Sequence, residues 1–168
     1  MVKINTVVNN DTPNFAPEGN IVGKTPNGTG IMIMANENVI IEENIISGNA
    51  TAGILVVSYL DEYEDDNYNP LPNRIYIKDN SLNNNGFDVD NERAEPIALL
   101  TEDKAPEIIW DGVTNIVEWL GLKKQRRLVL GPNKTKNGST DMINLNLMTY
   151  AISVSYTHLR AHETPEHR

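Results

Sequence analysis

Apolar positions alternate along this chain in two phrases that nearly repeat each other. In "NVIIEENIISGN" (Asn38–Asn49) the pattern picks out Val39, Ile41 and Ile46; in "NRIYIKDNSLNNN" (Asn73–Asn85) it picks out Ile75, Ile77 and Leu82. Aligned on their asparagines, both contain N-x-[VIL]-x-x-N, and "NTVVNN" from Asn5 is a third copy. Val2, Ile41 and Ile77 stand three before the first Asn of each copy. Such period-two patterning predicts short strands with one face in and one face out. A second strand family recurs as "GIMIMA" from Gly30, "GILVVS" from Gly53 and "PIALLT" from Pro96. Gly30 and Gly53 are 23 residues apart, and the next interval is lengthened by "YLDEYEDDNYNPLPN" (Tyr59–Asn73), which reads as an inserted loop. Self-similarity with one set of short strands per period is the signature of a solenoid.

An antiparallel sandwich also uses short alternating strands, but it has no reason to keep asparagine at equivalent places. In a parallel β-helix each coil lies about 4.8 Å above the last, so like stacks on like. Stacking accounts for the columns Asn5/Asn44/Asn80 and Asn10/Asn49/Asn85, with inward columns Val2/Ile41/Ile77 and Val7/Ile46/Leu82. The outward column Lys3/Glu42/Lys78 alternates in sign, as neighbouring strands favour. The expected fold is therefore all-β: a parallel β-helix fragment of about three coils over residues 1–120, a C-terminal strand appendage over 121–152, and a tail over 153–168. "WDGVTN" (Trp110–Asn115) is expected to end the regular coils. "GPNKTKNGSTDMINLNLM" then reads as a hairpin-like return with Ile143, Leu145 and Leu147 on one face.

In the second strand family the outward positions are Met32 and Met34, Leu55 and Val57, then Ala98 and Leu100. Stacked outward apolar side chains imply a covered surface. The cover is expected from the Tyr59–Asn73 loop, from the segment after Trp110, or from a partner protein on Met32, Met34, Leu55 and Val57.

Composition narrows the functions. With Lys+Arg 14 against Asp+Glu 23 the formal charge is −9, which makes nucleic acid and anionic membrane poor partners. No apolar run reaches the roughly 20 residues of a bilayer span. Cysteine is absent, so disulfides and thiolate sites are excluded. Asparagine occurs 23 times, all before residue 147, which suits both tight turns and stacked amide ladders.

All three histidines, His158, His162 and His167, lie in the tail "SVSYTHLRAHETPEHR". From about Val154 that tail resembles the translation of a sequencing adapter, a read-through seen at the ends of metagenomic reading frames, and fusion scars belong outside fold reasoning. "HETPEH" has the wrong spacing for a zincin, and Pro165 interrupts the helix such a motif needs. Without the tail the chain has neither His nor Cys, which removes the usual triads and zinc sites.

The N-x-[VIL]-x-x-N coils, "NGTGIMIMANENV", "YNPLPNRIYI" and "WDG" together resemble bacterial parallel β-helix (PbH1) repeat proteins of the cell envelope, over about Val2 to Leu147. The resemblance implies a right-handed β-helix, export by a signal or lipoprotein peptide to an extracytoplasmic location, and frequent pairing with a c-type cytochrome-like protein. It carries no catalytic residue over to this chain. Met1 falls within the first repeat phrase and only about three coils are visible, so the chain is expected to be a fragment cut at both ends.

Candidate chemistry concentrates in the acidic loop. Asp61, Glu62, Glu64, Asp65 and Asp66 are weak candidate ligands for calcium, the one cofactor the sequence suggests, since that cation takes six to eight oxygens. Tyr59, Tyr63 and Tyr68 flank them and suit sugar faces, and the competing interpretation is a solvated insertion stiffened by "NPLP". Tyr59, Asp61, Tyr63, Asp65, Tyr68, Arg74 and Tyr76 are therefore the candidate ligand-binding residues; Arg74 and Lys78 flank outward Tyr76 and would suit an anionic sugar. "DVDNE" (Asp88–Glu92) resembles part of a calcium loop but lacks its glycine, and reads better as a polar turn. "KKQRR" (Lys123–Arg127) is the only basic run and reads as a solvated turn. The leading function is a secreted or envelope-anchored non-catalytic scaffold that binds polysaccharide or a partner protein. The rival is a calcium-assisted polysaccharide lyase or glycoside hydrolase using carboxylates of Asp61–Asp66 and Arg74. It lacks the convergent carboxylate pair such chemistry requires.

Overall fold

The computed structural model describes residues 1–147 except 18, 62–64, 66, 102–103, 123–126, 137 and 139–140; of Trp119 it describes only the backbone. Its strands form three parallel sheets of four strands each. Sheet A stacks β1 (Val2–Lys3), β4 (Ile40–Glu42), β7 (Ile75–Lys78) and β10 (Leu128–Leu130). Sheet B stacks β2 (Thr6–Val8), β5 (Ile45–Ser47), β8 (Ser81–Asn83) and β11 (Lys134–Thr135). Sheet C stacks β3 (Thr29–Met34), β6 (Ala52–Val57), β9 (Ile108–Trp110) and β12 (Met142–Asn144). The chain visits A, B and C in turn four times, which is a parallel β-helix.

Register follows the sequence columns. Val2 faces Ile41, which faces Ile77; Val7 faces Ile46, which faces Leu82. Ile41, Ile46, Ile77 and Leu82 meet Ile33, Ile54, Val56, Ile75 and Ile108 in a lumen where each of these is at most 5% exposed, and Val2 and Val7 pack half-buried against it. Each fully buried branched aliphatic contributes about 1.5–3 kcal/mol relative to exposure. On the outside, Glu42 bridges Lys3 at 3.0 Å and Lys78 at 2.8 Å, so the alternating charge column is a chain of ion pairs.

The asparagines build the corners. Between sheets A and B a residue with left-handed backbone comes first (Ile4, Glu43 and Asp79, φ 57°, 55° and 56°), and Asn5, Asn44 or Asn80 follows. Its amide Nδ2 donates back across the bend to the carbonyl of Lys3, Glu42 or Lys78. It also donates to the next coil: the backbone N–H of Asn5 reaches Asn44 Oδ1 at 2.9 Å, Asn44 reaches Asn80 at 3.0 Å, and Asn80 reaches Asn133 at 3.0 Å. The corner into sheet C repeats the device, with Asn9, Gly48 and Asn84 left-handed and Asn10, Asn49 and Asn85 after them. That second ladder ends on a carboxylate, since Asn85 donates to Glu107 Oε2 from both its backbone and its side chain. The ladder also explains glycine at the start of the sheet C strands. A Cβ on Gly30 would sit 2.8 Å from Asn49 Nδ2, and one on Gly53 would sit 2.9 Å from Asn85 Nδ2.

Three expectations are corrected. "PIALLT" is not the third strand of its family: Glu95–Leu100 is a helix, α1, and Ala98 and Leu100 are no part of sheet C. Proline in the first turn fits a helix start, where its missing N–H costs nothing. The strand in that coil comes from "IIW", with Ile109 beside Leu55. The C-terminal strands also do not return as a hairpin, because β10, β11 and β12 all pair parallel and make a fourth coil. Leu128, Leu130 and Asn133 keep the spacing of Ile75, Ile77 and Asn80, and Asn133 closes the first ladder. Trp110, expected to mark the end of the coils, instead faces the lumen of the third.

Candidate functional site: an apolar cleft on sheet C

Three insertions between strands fold over the outer face of sheet C. The first comes between β2 and β3 and includes the 3-10 turn Ile21–Lys24. The second follows β6 and brings Tyr59, Leu60 and Asp61. The third, between β8 and β9, brings Arg93 and α1. Part of the face they seal: Leu55 and Ile109 are 2% and 0% exposed beneath Ala94, Ile97 and Ala105. Between the insertions a cleft of about 360 Å³ stays open, with Met32, Met34, Leu55 and Val57 as its floor and Val113, Leu145 and Leu147 at one end.

Polar contacts bind the three insertions to one another. Lys24 Nζ lies 2.7 Å from Asp61 Oδ2 and 6.0 Å from the centre of the Tyr59 ring, joining the first insertion to the second. Asn27 N–H donates to Asp90 at 2.9 Å and Arg93 Nε donates to the Gly23 carbonyl at 3.0 Å, joining the first to the third. The third is also pinned to the helix body by Asp88 N–H on the Ala50 carbonyl and Asp90 N–H on Thr51 Oγ1. Burial alone would raise the Asp90 carboxyl, but the backbone N–H groups of Asn27, Arg93 and Glu92 hold it below its ordinary value. Lys24 first, and then the Tyr59 hydroxyl, hold Asp61 below its own.

One ionisable group lies at the edge of the floor. Asp111 is 5% exposed; its Oδ2 accepts from Ser58 N–H and Ser58 Oγ, both at 2.6 Å, and its Oδ1 from Val113 N–H at 3.1 Å. Burial pushes its carboxyl above the ordinary value, against the pull of those donors.

The structure thus brings Met32, Met34, Leu55, Val57, Tyr59 and Asp61 to one place. It does not bring the other sugar-site candidates there. The Tyr68 hydroxyl donates to the Tyr59 carbonyl at 2.7 Å, and Asp65 accepts from Asn67 N–H at 2.9 Å in a local turn. Arg74 pairs with Glu37 Oε2 at 3.0 Å on the corner before sheet A, where Tyr76 stands between Ile40 and Val129. Glu62, Tyr63, Glu64 and Asp66 lie outside the described residues, and among the described residues no three carboxylates converge to hold a cation. Of the basic run only Arg127 is described, and it is not solvated: its guanidinium pairs with Glu118 at 2.6 Å with both side chains buried. Sequence reasoning did not assign Ile21, Lys24, Ser58, Asp111 or Ile97 to this site: Ile21 and Lys24 belong to no repeating column, Ser58 and Ile97 were read only as strand positions, and Asp111 only as part of a turn.

Comparison of the chain with protein-family models, with curated proteins and with solved structures finds no match. Among the described residues no helix is long and apolar enough to cross a membrane.

Proposed function

We propose that this chain belongs to a non-catalytic β-helix scaffold of the cell envelope, and that the sheet C cleft is its recognition surface for a partner protein. The observation that carries this reading is the convergence of three insertions from successive coils, two from the corner between sheets B and C and one following sheet C, around a partly uncovered aliphatic floor. A β-helix needs no insertion to be stable, and these are tied together at considerable polar cost, so they serve the space between them. Met32 and Met34 give that floor an adaptable surface of the kind used at binding interfaces. A polysaccharide would need exposed flat rings and paired polar groups, and the cleft offers one tyrosine among aliphatics. The envelope location rests on the resemblance in the repeat words alone. A lyase or hydrolase finds no support in the cleft, where Asp61 is engaged by Lys24 and Asp111 by Ser58 and Val113.

The test is site-specific photocrosslinking in cells that make the full-length protein. A photoreactive residue in place of Tyr59, at the rim, should yield a discrete protein adduct. The same residue in place of Asn83, exposed on sheet B, should yield none. Equal adducts at both positions, or polysaccharide alone at position 59, would overturn the reading.

A further inference from the structure

Between β9 and β10 the chain folds inside out. The short helix α2 (Ile116–Trp119) is capped by Asn115, whose Oδ1 accepts the Glu118 N–H at 2.9 Å. A surface helix ordinarily turns its charge to water and its apolar residues to the core. Here the charge is what is buried. Glu118 accepts from Arg127 Nε at 2.6 Å and Nη2 at 3.0 Å, the two side chains are 7% and 5% exposed, and Arg127 also donates to the Pro72 carbonyl. The apolar residues stay outside: Ile116, Val117, Leu120 and Leu122 are 58%, 43%, 56% and 76% exposed. Burying an ion pair costs desolvation that a packed aliphatic contact does not, so this arrangement spends stability to keep apolar surface outside. We propose that this knob docks on an anionic lipid surface, whose headgroup layer takes up the four aliphatic side chains. The inference is independent of the sheet C cleft.

Charge selects the occupant. The whole chain carries −9, but between Asp111 and Asp141 it holds six Lys and Arg against one acid, Glu118, which Arg127 neutralises. Two of those cations, Lys134 and Lys136 of the fourth coil, are exposed, and among the described residues neither has a carboxylate partner. The rest of the chain is acidic and is repelled by an anionic surface, so the asymmetry turns the fourth coil toward it. The side-chain types point the same way. Protein interfaces concentrate their energy in Trp, Tyr and Arg, with Leu and Val under-represented. Projecting aliphatics beside lysines are instead what a headgroup layer holds, the aliphatics by burial and the lysines by attraction to anionic lipid.

The test sediments the full chain with vesicles of phosphatidylcholine containing roughly 30% phosphatidylglycerol, and with vesicles of phosphatidylcholine alone. Binding is expected to the first, weakening as salt is raised, and at least about tenfold weaker to the second. Leu120→Ser combined with Leu122→Ser should reduce binding about tenfold or more with the unfolding midpoint unchanged, since both residues are exposed. Lys134→Gln combined with Lys136→Gln should weaken binding to the anionic vesicles by about fivefold per lysine and flatten its salt dependence. Leu99→Ser is the control: Leu99 is as exposed as Leu122 but lies on α1, and its loss should leave binding unchanged. No sedimentation with anionic vesicles, equal sedimentation with neutral ones, or an equal loss from Leu99→Ser would overturn the inference. A photoreactive residue in place of Leu122 should capture lipid in cells that make the full-length protein. A discrete protein adduct at that position would give the knob to a protein partner and sink the lipid assignment, leaving the reading of the cleft at position 59 untouched.

Discussion

Sheet B and the outer face of sheet C are built from the same coils, yet they are different kinds of structure. Along sheet B the first three coils repeat one another, and its corners hold two amide ladders in which stacked asparagines donate to the next coil. Across the outer face of sheet C no two coils carry the same decoration. One bears a 3-10 turn, one a loop through Tyr59, and one a helix. The repeating region supplies stability, because each buried amide is satisfied only if its neighbours stay in register. The decorated region supplies a surface, because variation between coils is what makes a cleft rather than a flat wall. If this division holds, substitutions in the ladders should cost stability, and substitutions in the cleft should cost binding.

The largest effect is expected at Asn80, in the middle of the first ladder and fully buried. Its amide donates to the carbonyls of Ile41 and Lys78 and to Asn133 Oδ1, and its own Oδ1 accepts from Asn44. Asn80→Leu leaves several buried backbone groups unpaired and should lower stability by about 3–5 kcal/mol in denaturant unfolding. Asn5→Leu, at the exposed end of the same ladder, should cost about 1 kcal/mol or less. Equal losses at the two positions would mean that the ladder does not act as a stacked unit.

Gly53→Ala comes next and tests how the ladders shape sheet C. The added Cβ would meet the Glu107 carbonyl oxygen at 2.8 Å and Asn85 Nδ2 at 2.9 Å. Neither can withdraw without breaking the β6–β9 pairing or the second ladder, so about 1–3 kcal/mol should be lost. A neutral result in thermal unfolding would show that the second ladder yields more easily than its contacts indicate.

These differences explain how much of the molecule was legible beforehand. Stacking like on like writes itself into sequence, so Asn44 beneath Asn5 and Ile77 beneath Ile41 were readable as columns and settled the fold. The fourth coil was written in the same code at Leu128, Leu130 and Asn133. It was obscured because Thr135 stands where the other coils have Val7, Ile46 and Leu82. The cleft was half legible. Met32, Met34, Leu55 and Val57 announced an apolar outward face by alternation alone. Its walls did not, since Lys24, Arg93 and Asp111 gain their meaning from contacts between insertions that share no period. "PIALLT" misled for a related reason: Pro96-Ile97-Ala98-Leu99-Leu100 fits a strand by alternation as well as a short helix, and only its position over Leu55 decides.

In the cleft the expected stability change is smaller. Val57→Trp adds bulk to a half-open floor and should alter stability by no more than about 1 kcal/mol, while weakening the protein adduct formed at position 59. A loss of stability as large as that of Gly53→Ala would show that the floor belongs to the packed core, and the contrast between the two regions would fail.

The smallest effects are those of pH, and there the two regions should differ in sign. Glu42 belongs to the repeating part, where Lys78 and then Lys3 hold its carboxyl below the ordinary value. The folded state therefore binds that proton less readily than the unfolded chain. The stability it contributes is complete above the ordinary carboxylate range and is lost as pH falls toward the depressed value. Asp111 belongs to the cleft, and burial raises its carboxyl above the ordinary value. Its contribution runs the other way: it is complete below the ordinary range and is lost as pH rises through the raised value. Unfolding midpoints measured across the acid range should therefore show Glu42→Gln flattening the low-pH limb and Asp111→Asn flattening the decline above it. Because Lys3 and Lys78, the partners of Glu42, are partly exposed to solvent and screened, its change should be the fainter of the two. If Asp111→Asn steepens the upper limb instead, the carboxylate is stabilised by Ser58 and Val113 more than burial penalises it.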